Sequence, residues 1–336
     1  MYSMDQTTIT RHPIYPETKP SSCRNQNIHE YSPYAIIRGR NVIDIKWWNS
    51  LTAYCRTLIE TRLNWNFALD SVPIPHEFQY DSSDKFLTIV YRSYIDSFDY
   101  NIWYDSDLPN GPKGVQMVQI PLIMKKVLVR MYNEHLPYIP ELDALCAQIN
   151  QVIDPNQTYF IRLSSTSGKN DKSIRKFSSS DIQKPAQEIL SYISKIKVFV
   201  DQEFRREDKY TYLILIPWNP KIDIKFEFRI FVLDGQLTGV TQQSRSMNFQ
   251  HSAEELEAIE HAINNISFIA SVPYKTFVGD VYIDIDTKIC HLIELNPFGP
   301  HSGAGASLFD WVDDYKRLHG MLIENPQLRY LSAINY

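Results

Sequence analysis

The stretch Gly279–Gly299, GDVYIDIDTKICHLIELNPFG, decides the fold. Phe277, Val278, Val281, Ile283 and Ile285 make a β-rich run, Asp286-Thr287-Lys288 supplies a turn, and Ile289 to Leu295 is a second, largely apolar run. The pattern predicts two strands joined by a tight turn. Residues two apart in a strand project to the same face, so Glu294 and Asn296 point together at the end of the second strand. Asp280 sits in the partner strand, positioned to face them. Two carboxylates and an amide oxygen are hard oxygen ligands. They suit Mg2+, which takes one or two carboxylates and completes its shell with water and substrate phosphates. Pro297-Phe298-Gly299 then turns the chain out of the strand.

Upstream, Phe226 to Val232 (FEFRIFV) and Gln236 to Gln242 (QLTGVTQ) flank Asp234-Gly235, a pair built for a type I′ turn, which predicts a second hairpin. Alternation puts Glu227 and Arg229 on one of its faces and Phe226, Phe228 and Ile230 on the other. The Glu-Arg pair reads either as a structural ion pair or as a phosphate contact. Tyr210 to Ile216, strongly apolar before Pro217-Trp218, predicts a central strand running into a connector. Tyr159 to Ser165 (YFIRLSS) predicts a strand with one cation, Arg162, followed by the small polar loop Ser165 to Lys172. An arginine fork, the lysines Lys169 and Lys172, and closely approachable Ser and Gly amides make a plausible phosphate-holding unit, although GxxxxGK[ST] spacing is absent. As a loop alone, the same residues read as a solvated basic segment.

Elsewhere the chain predicts a helix over Ile43 to Leu63, a strand over Phe86 to Tyr94, and a short strand into Pro121 with a helix after it. It also predicts a helix over Pro140 to Val152, another from Ser180 or Asp181 to Ile196, a strand over Val198 to Phe204, and helices over Ala253 to Val272 and Ser307 to Leu318. Residues 1 to about 34 read as a flexible or irregular arm, and the tail is weakly patterned. Trp47, Trp48, Trp65 and Trp103 crowd the first third. Such aromatics suit base stacking, but more often they fill a core.

At 336 residues and 43% hydrophobic, the chain is large enough for two or three lobes. A net charge of −5 argues against non-specific coating of nucleic acid. Cys23, Cys55, Cys146 and Cys290 form no CxxC pair and read as reduced thiols. The N-terminus lacks a signal-peptide order, and no apolar run reaches the ~18 residues of a membrane span. A cytoplasmic protein is expected.

Taken in order, YFIRLSSTSGKND, YLILIPW, FEFRIFVLDGQLTGVTQQ, FVGDVYIDI and LIELNPFG followed by SLFDW resemble the ATP-grasp superfamily, and within it the cell division cycle protein 123 family. The resemblance covers roughly residues 115 to 318. It implies an α+β ATP-grasp fold, two α+β lobes clasping ATP: an N-terminal extension over 1–114, a first lobe over 115–209, and a second lobe with the metal site over 210–336. By resemblance, Arg162, Ser164, Lys169, Leu215, Ile216, Trp218, Glu227 and Arg229 bind ATP, and Asp280, Glu294 and Asn296 hold Mg2+. Lys169, Lys172 and Arg229 are then the catalytic candidates. Departures from the family pattern are Arg162 where a lysine is usual, Gln242-Gln243-Ser244 in place of Gln-Arg-Asp, and Ile216-Pro217 before Trp218. The expected function is a Mg-ATP-dependent ligase that activates an RNA 5′-phosphate end by adenylation or a protein or peptide carboxylate as acyl phosphate. The alternative is a non-catalytic ATP-binding chaperone that assembles a translation initiation factor.

Overall fold

The computed structural model describes residues 9–14, 34–37, 41–44, 96–154, 156–166, 177–178, 185–207, 209–298, 305–310, 314–320, 322 and 325–331. The chain divides into two units, Asp99–Lys221 and the joined segments Met1–Phe98 and Ile222–Tyr336. The architecture is α+β.

Near the N-terminus, β1 (Thr10–Ile14) is a strand where a flexible arm was expected. Its Pro13 is tolerated because β1 is an edge strand, where a missing N–H breaks no ladder. β2 (Tyr34–Ile37) and β3 (Asn41–Asp44) pair antiparallel. Ile43 and Asp44 therefore belong to a strand, and the remainder of the helix expected to Leu63 lies outside the described residues. So do Trp47, Trp48, Trp65 and the strand expected over Phe86 to Tyr94.

The Asp99–Lys221 unit begins with α1 (Tyr100–Trp103), whose Tyr100 and Trp103 are buried. β4 (Gln116–Ile120) runs into Pro121, and α2 (Leu122–Glu134) follows and ends on His135 at φ 54°. A 3-10 turn at Pro140–Leu142 opens α3 (Asp143–Val152). Next come β5 (Thr158–Leu163), β6 (Phe177–Ser178) and α4 (Pro185–Ile193). Residues Lys197–Phe199 are α-helical and Val200–Phe204 continue as a π-helix, where a strand was expected. A short apolar run does not tell strand from helix by itself. Here the buried positions Phe199, Val200, Glu203 and Phe204 repeat at helical spacing. β7 (Thr211–Pro217) completes an antiparallel sheet in the order β4-β7-β5-β6. Val118, Ile120, Ile161, Leu163, Leu213 and Leu215 project from it into a core with Leu128 and Met131 of α2, Leu145 and Ile149 of α3, and Ile189 and Ile193 of α4.

In the other unit, β8 (Glu227–Leu233) and β9 (Gln236–Gln242) form the expected hairpin. Its turn residues Asp234 and Gly235 take φ 51° and 79°, the left-handed pair a type I′ turn needs. α5 (Ala253–Asn264) is shorter than expected and starts on a capping box of Ser252 and Glu255. β10 (Phe277–Asp284) and β11 (Ile289–Asn296) are the quoted hairpin. Of the helix expected over Ser307 to Leu318, residues 307–310 hold a turn instead, and α6 (Tyr315–Leu318) is the described helical part. β12 (Gln327–Leu331) turns the weakly patterned tail into a strand. The sheet order is β1-β12-β9-β8-β10-β11, with β1 and β9 both parallel to β12 and the other pairs antiparallel. One face carries Phe231, Leu233 and Val278 against Phe298, Ala306, Phe309 and Leu318. Two residues along β8 and β10 from Phe231 and Val278, that same face carries Arg229 and Asp280.

Candidate functional site

Strand register builds the site. Arg229 on β8 is paired with Thr241 on β9 and with Asp280 on β10, and Asp280 is paired with Glu294 on β11. Thr241, Arg229, Asp280 and Glu294 thus form one row across four strands. Asn296 lies two residues beyond Glu294 and is paired with Val278. A β-bulge falls between Asp280 and Val281 in the β10–β11 pairing, a common way to re-aim side chains beside a site.

The row is closely bonded. Arg229 forks onto Asp280, with Nε donating to Oδ1 at 2.8 Å and Nη2 to Oδ2 at 3.0 Å. Its remaining nitrogen, Nη1, donates to the Gly305 carbonyl at 3.0 Å. Gly305 takes φ +70°, and a β-carbon there would meet Arg245 Nη2 at 3.5 Å and Arg229 Nη1 at 3.9 Å. Gln243 Nε2 donates to Asp280 Oδ2 at 2.9 Å. Arg229, Asp280 and Glu294 are 6%, 2% and 9% exposed, so these are buried charges. Burial opposes the charge on Arg229, but Asp280 and then Glu294 outweigh it and hold the guanidinium pKa above its ordinary value. Two buried amide atoms beside the row have no hydrogen-bond partner, Gln243 Oε1 and Asn296 Nδ2.

Asp280, Glu294 and Asn296 thus come together as the sequence indicates. Arg229 joins them through a buried ion pair with Asp280, where the sequence paired it with Glu227. Gln243 was not singled out as a site residue. Its signal was the period-two alternation of β9 carried one residue past the strand's end, which puts it on the side of Thr241. Next to it, the fully buried Gln242 donates to the Ser244 and Met247 carbonyls at 2.6 Å each and so shapes the segment after β9. Glu227 pairs with Tyr282, and its carbonyl accepts from the Gln243 N–H at 3.0 Å.

In the Asp99–Lys221 unit, Arg162 is 4% exposed and its guanidinium carbon lies 5.0 Å from the Tyr100 ring centroid. Ser164 Oγ accepts from the Tyr212 N–H at 2.7 Å, and its carbonyl accepts from the Tyr100 N–H at 2.8 Å. Leu215 packs into the helix-covered core, Ile216 is paired with Phe160, and the Trp218 N–H donates to the Thr158 carbonyl at 2.8 Å. Lys169 and Lys172 lie outside the described residues. A buried network that sequence reading missed centres on Glu203. Its Oε1 accepts from Ser165 N at 2.7 Å and Ser165 Oγ at 2.6 Å, and its Oε2 accepts from Thr211 Oγ1 at 3.1 Å. Lys209 Nζ lies 3.6 Å from the same carboxylate and 2.7 Å from Asp99.

The profile of the D123 family matches residues 158–335, more than half of the chain. The chain belongs to the D123 family. A putative CDC123-like protein of Acanthamoeba polyphaga mimivirus is 26% identical over 154 residues, 40% of this chain and 47% of that protein. The translation initiation factor eIF2 assembly protein of Xenopus tropicalis is 32% identical over 118 residues, 32% of this chain and 33% of its own length. The chain therefore spans less than half of each of these relatives. The structure of Cdc123 from Schizosaccharomyces pombe superposes with a TM-score of 0.55 at 21% identity, covering 70% of this chain and 97% of that one. That likeness is one of fold. These relatives overturn the expectation of a ligase that activates an RNA end or a carboxylate. Several of the similar proteins, among them those of Xenopus tropicalis and Dictyostelium discoideum, are named translation initiation factor eIF2 assembly proteins, and this favours the alternative reading. Among the described residues, no helix is long and apolar enough to cross a membrane.

Proposed function

We propose that the chain is an ATP-binding assembly factor for a translation initiation factor of the eIF2 kind, acting without turning nucleotide over. Membership of the D123 family carries this reading, and the matched region contains the whole row from Arg229 to Asn296. The assembly role is taken from the names of the relatives. The nucleotide is taken from the ATP-grasp resemblance and from the chemistry of the row.

The donor set fits Mg2+ bound together with a polyphosphate. Among the described residues, no group of three or more His, Cys, Asp or Glu offers a cage made of protein alone. A cation at the row would rest on Asp280, Glu294 and the amide oxygen of Asn296, and would complete its shell with oxygens from outside the protein. The unpartnered Asn296 Nδ2 marks an amide that the protein itself does not satisfy. Bound there, Mg2+ would neutralise charge on the phosphate oxygens. Asp280 and Glu294 would supply the negative charge that holds it, and Arg229 the positive charge that faces the phosphate.

The test is to mix the purified chain with the trimeric initiation factor and with its separate subunits, with Mg-ATP and without nucleotide, and to resolve complexes by size. The expected outcome is a complex with one subunit that forms more tightly with Mg-ATP, with ATP recovered intact. Absence of any complex overturns the assembly role, and sustained ADP or AMP release overturns the non-catalytic part.

A further inference from the structure

Both oxygens of Asp280 accept hydrogen bonds, Oδ1 from Arg229 and Oδ2 from Arg229 and Gln243, and all three guanidinium nitrogens of Arg229 are engaged within the protein. Both side chains are buried, at 8% exposure for Arg229 and 3% for Asp280. A cation approaching Asp280 competes with the guanidinium for the same oxygens. A phosphate approaching Arg229 competes with the carboxylate for the same nitrogens. Either ligand alone takes one partner and leaves the other as a buried charge without its counter-ion, a strongly unfavourable state. Together they exchange one internal ion pair for two, carboxylate with metal and guanidinium with phosphate. The unpartnered atoms Asn296 Nδ2 and Gln243 Oε1 sit beside this exchange and offer a donor and an acceptor to groups that enter.

We propose that the Arg229–Asp280 pair is a latch that admits metal and polyphosphate only together. It rests on the nucleotide reading above and adds to it the coupling between the two ligands. Differential binding of this kind is reciprocal, so the metal must strengthen nucleotide binding by the same factor by which nucleotide strengthens metal binding. That factor should be on the order of 100-fold.

The test uses the full chain and a fluorescent ATP analogue, titrated in excess Mg2+ and in chelator. Mn2+ alone is titrated separately by electron paramagnetic resonance. The wild type should bind nucleotide on the order of 100-fold more weakly in chelator, and should not bind Mn2+ alone at millimolar concentration. Asp280→Asn removes the charge that holds Arg229. It should bind nucleotide in chelator more tightly than the wild type does, and gain little from Mg2+. Glu294→Gln leaves the latch closed and should stay weak in chelator. If Asp280 were only a metal ligand, Asp280→Asn would bind metal-free nucleotide no better than the wild type, and that result overturns the latch. Equal wild-type affinity in Mg2+ and chelator, or tight Mn2+ binding without nucleotide, overturns it as well, even should Asp280→Asn fail to fold. In each of these cases nucleotide still binds, so the ATP reading survives. Absence of nucleotide binding under every condition overturns both.

Discussion

Asp280 and Glu294 stand directly opposite one another in the β10–β11 pairing, two buried carboxylates on adjacent strands. Like charges in such a pair are destabilising unless something compensates them. Arg229 does so from β8, its bidentate fork on Asp280 completing the row. Arg229→Met should therefore lower stability by about 3–5 kcal/mol, the usual consequence of stripping one partner from a buried pair. The loss should be partly reversed by millimolar Mg2+, which takes the place of the missing guanidinium. Chemical denaturation of wild type and variant with and without Mg2+ checks this. An Arg229→Met variant as stable as the wild type in chelator would mean that the row does not need its cation.

The Glu203 carboxylate accepts three hydrogen bonds from Ser165 and Thr211 while wholly buried. Glu203→Ala leaves those donors without an acceptor, at about 1–3 kcal/mol for each group that water does not reach. Glu203→Gln keeps one acceptor oxygen and should lose less. Hydrogen exchange should show faster opening in peptides over 158–166 and 209–217 for Glu203→Ala, with α5 unaffected. Unchanged protection in those peptides would make the network dispensable.

Some of this was legible in the chain and some was not, for reasons that differ by residue. Asp234-Gly235 announced its hairpin because few other pairs adopt two left-handed conformations cheaply, and both do so here. Glu294 and Asn296 were readable together because strand alternation is local, and Asp280 because a short turn joins its strand to theirs. The Arg229–Asp280 fork was not readable, because it depends on the register between strands 51 residues apart. The same limit hid β1 and β12, which pair the two ends of the chain. Glu203 was hidden differently. Its run was expected as a strand, whereas Phe199, Val200, Glu203 and Phe204 are buried together at helical spacing.

Gly279 lies next to Asp280 on β10 and opposite Ile230 on β8. A β-carbon there would sit 3.0 Å from Ile230 Cγ1 and 3.3 Å from Phe277 Cε2. Gly279→Ala should therefore strain the β8–β10 pairing beneath the row and lower stability by about 1–3 kcal/mol. Ile230→Ala removes the obstructing carbon, so the double variant should be less destabilised than the sum of the two single changes. Additive losses in denaturation midpoints would show that the crowding is relieved by other means.

His251 is enclosed by Phe226, Phe228, Phe249 and Tyr330, with ring centroids 6.0–6.4 Å away. Neither of its ring nitrogens has a hydrogen-bond partner. Burial, and then the positive charge of Lys225, pushes its pKa down to about 4, with Glu255 pulling the other way. In the unfolded chain the group titrates near ~6.5. Between these two values the unfolded state takes up a proton that the folded state refuses. Stability from this residue is therefore complete above roughly pH 6.5 and is lost progressively as pH falls toward 4. Melting temperatures measured from pH 7 to pH 4.5 should fall more steeply for the wild type than for His251→Leu, which has nothing to titrate. Parallel pH profiles would mean that His251 is protonated as readily in the folded protein as in the unfolded one. The neutral imidazole would then have no part in the aromatic cluster's stability.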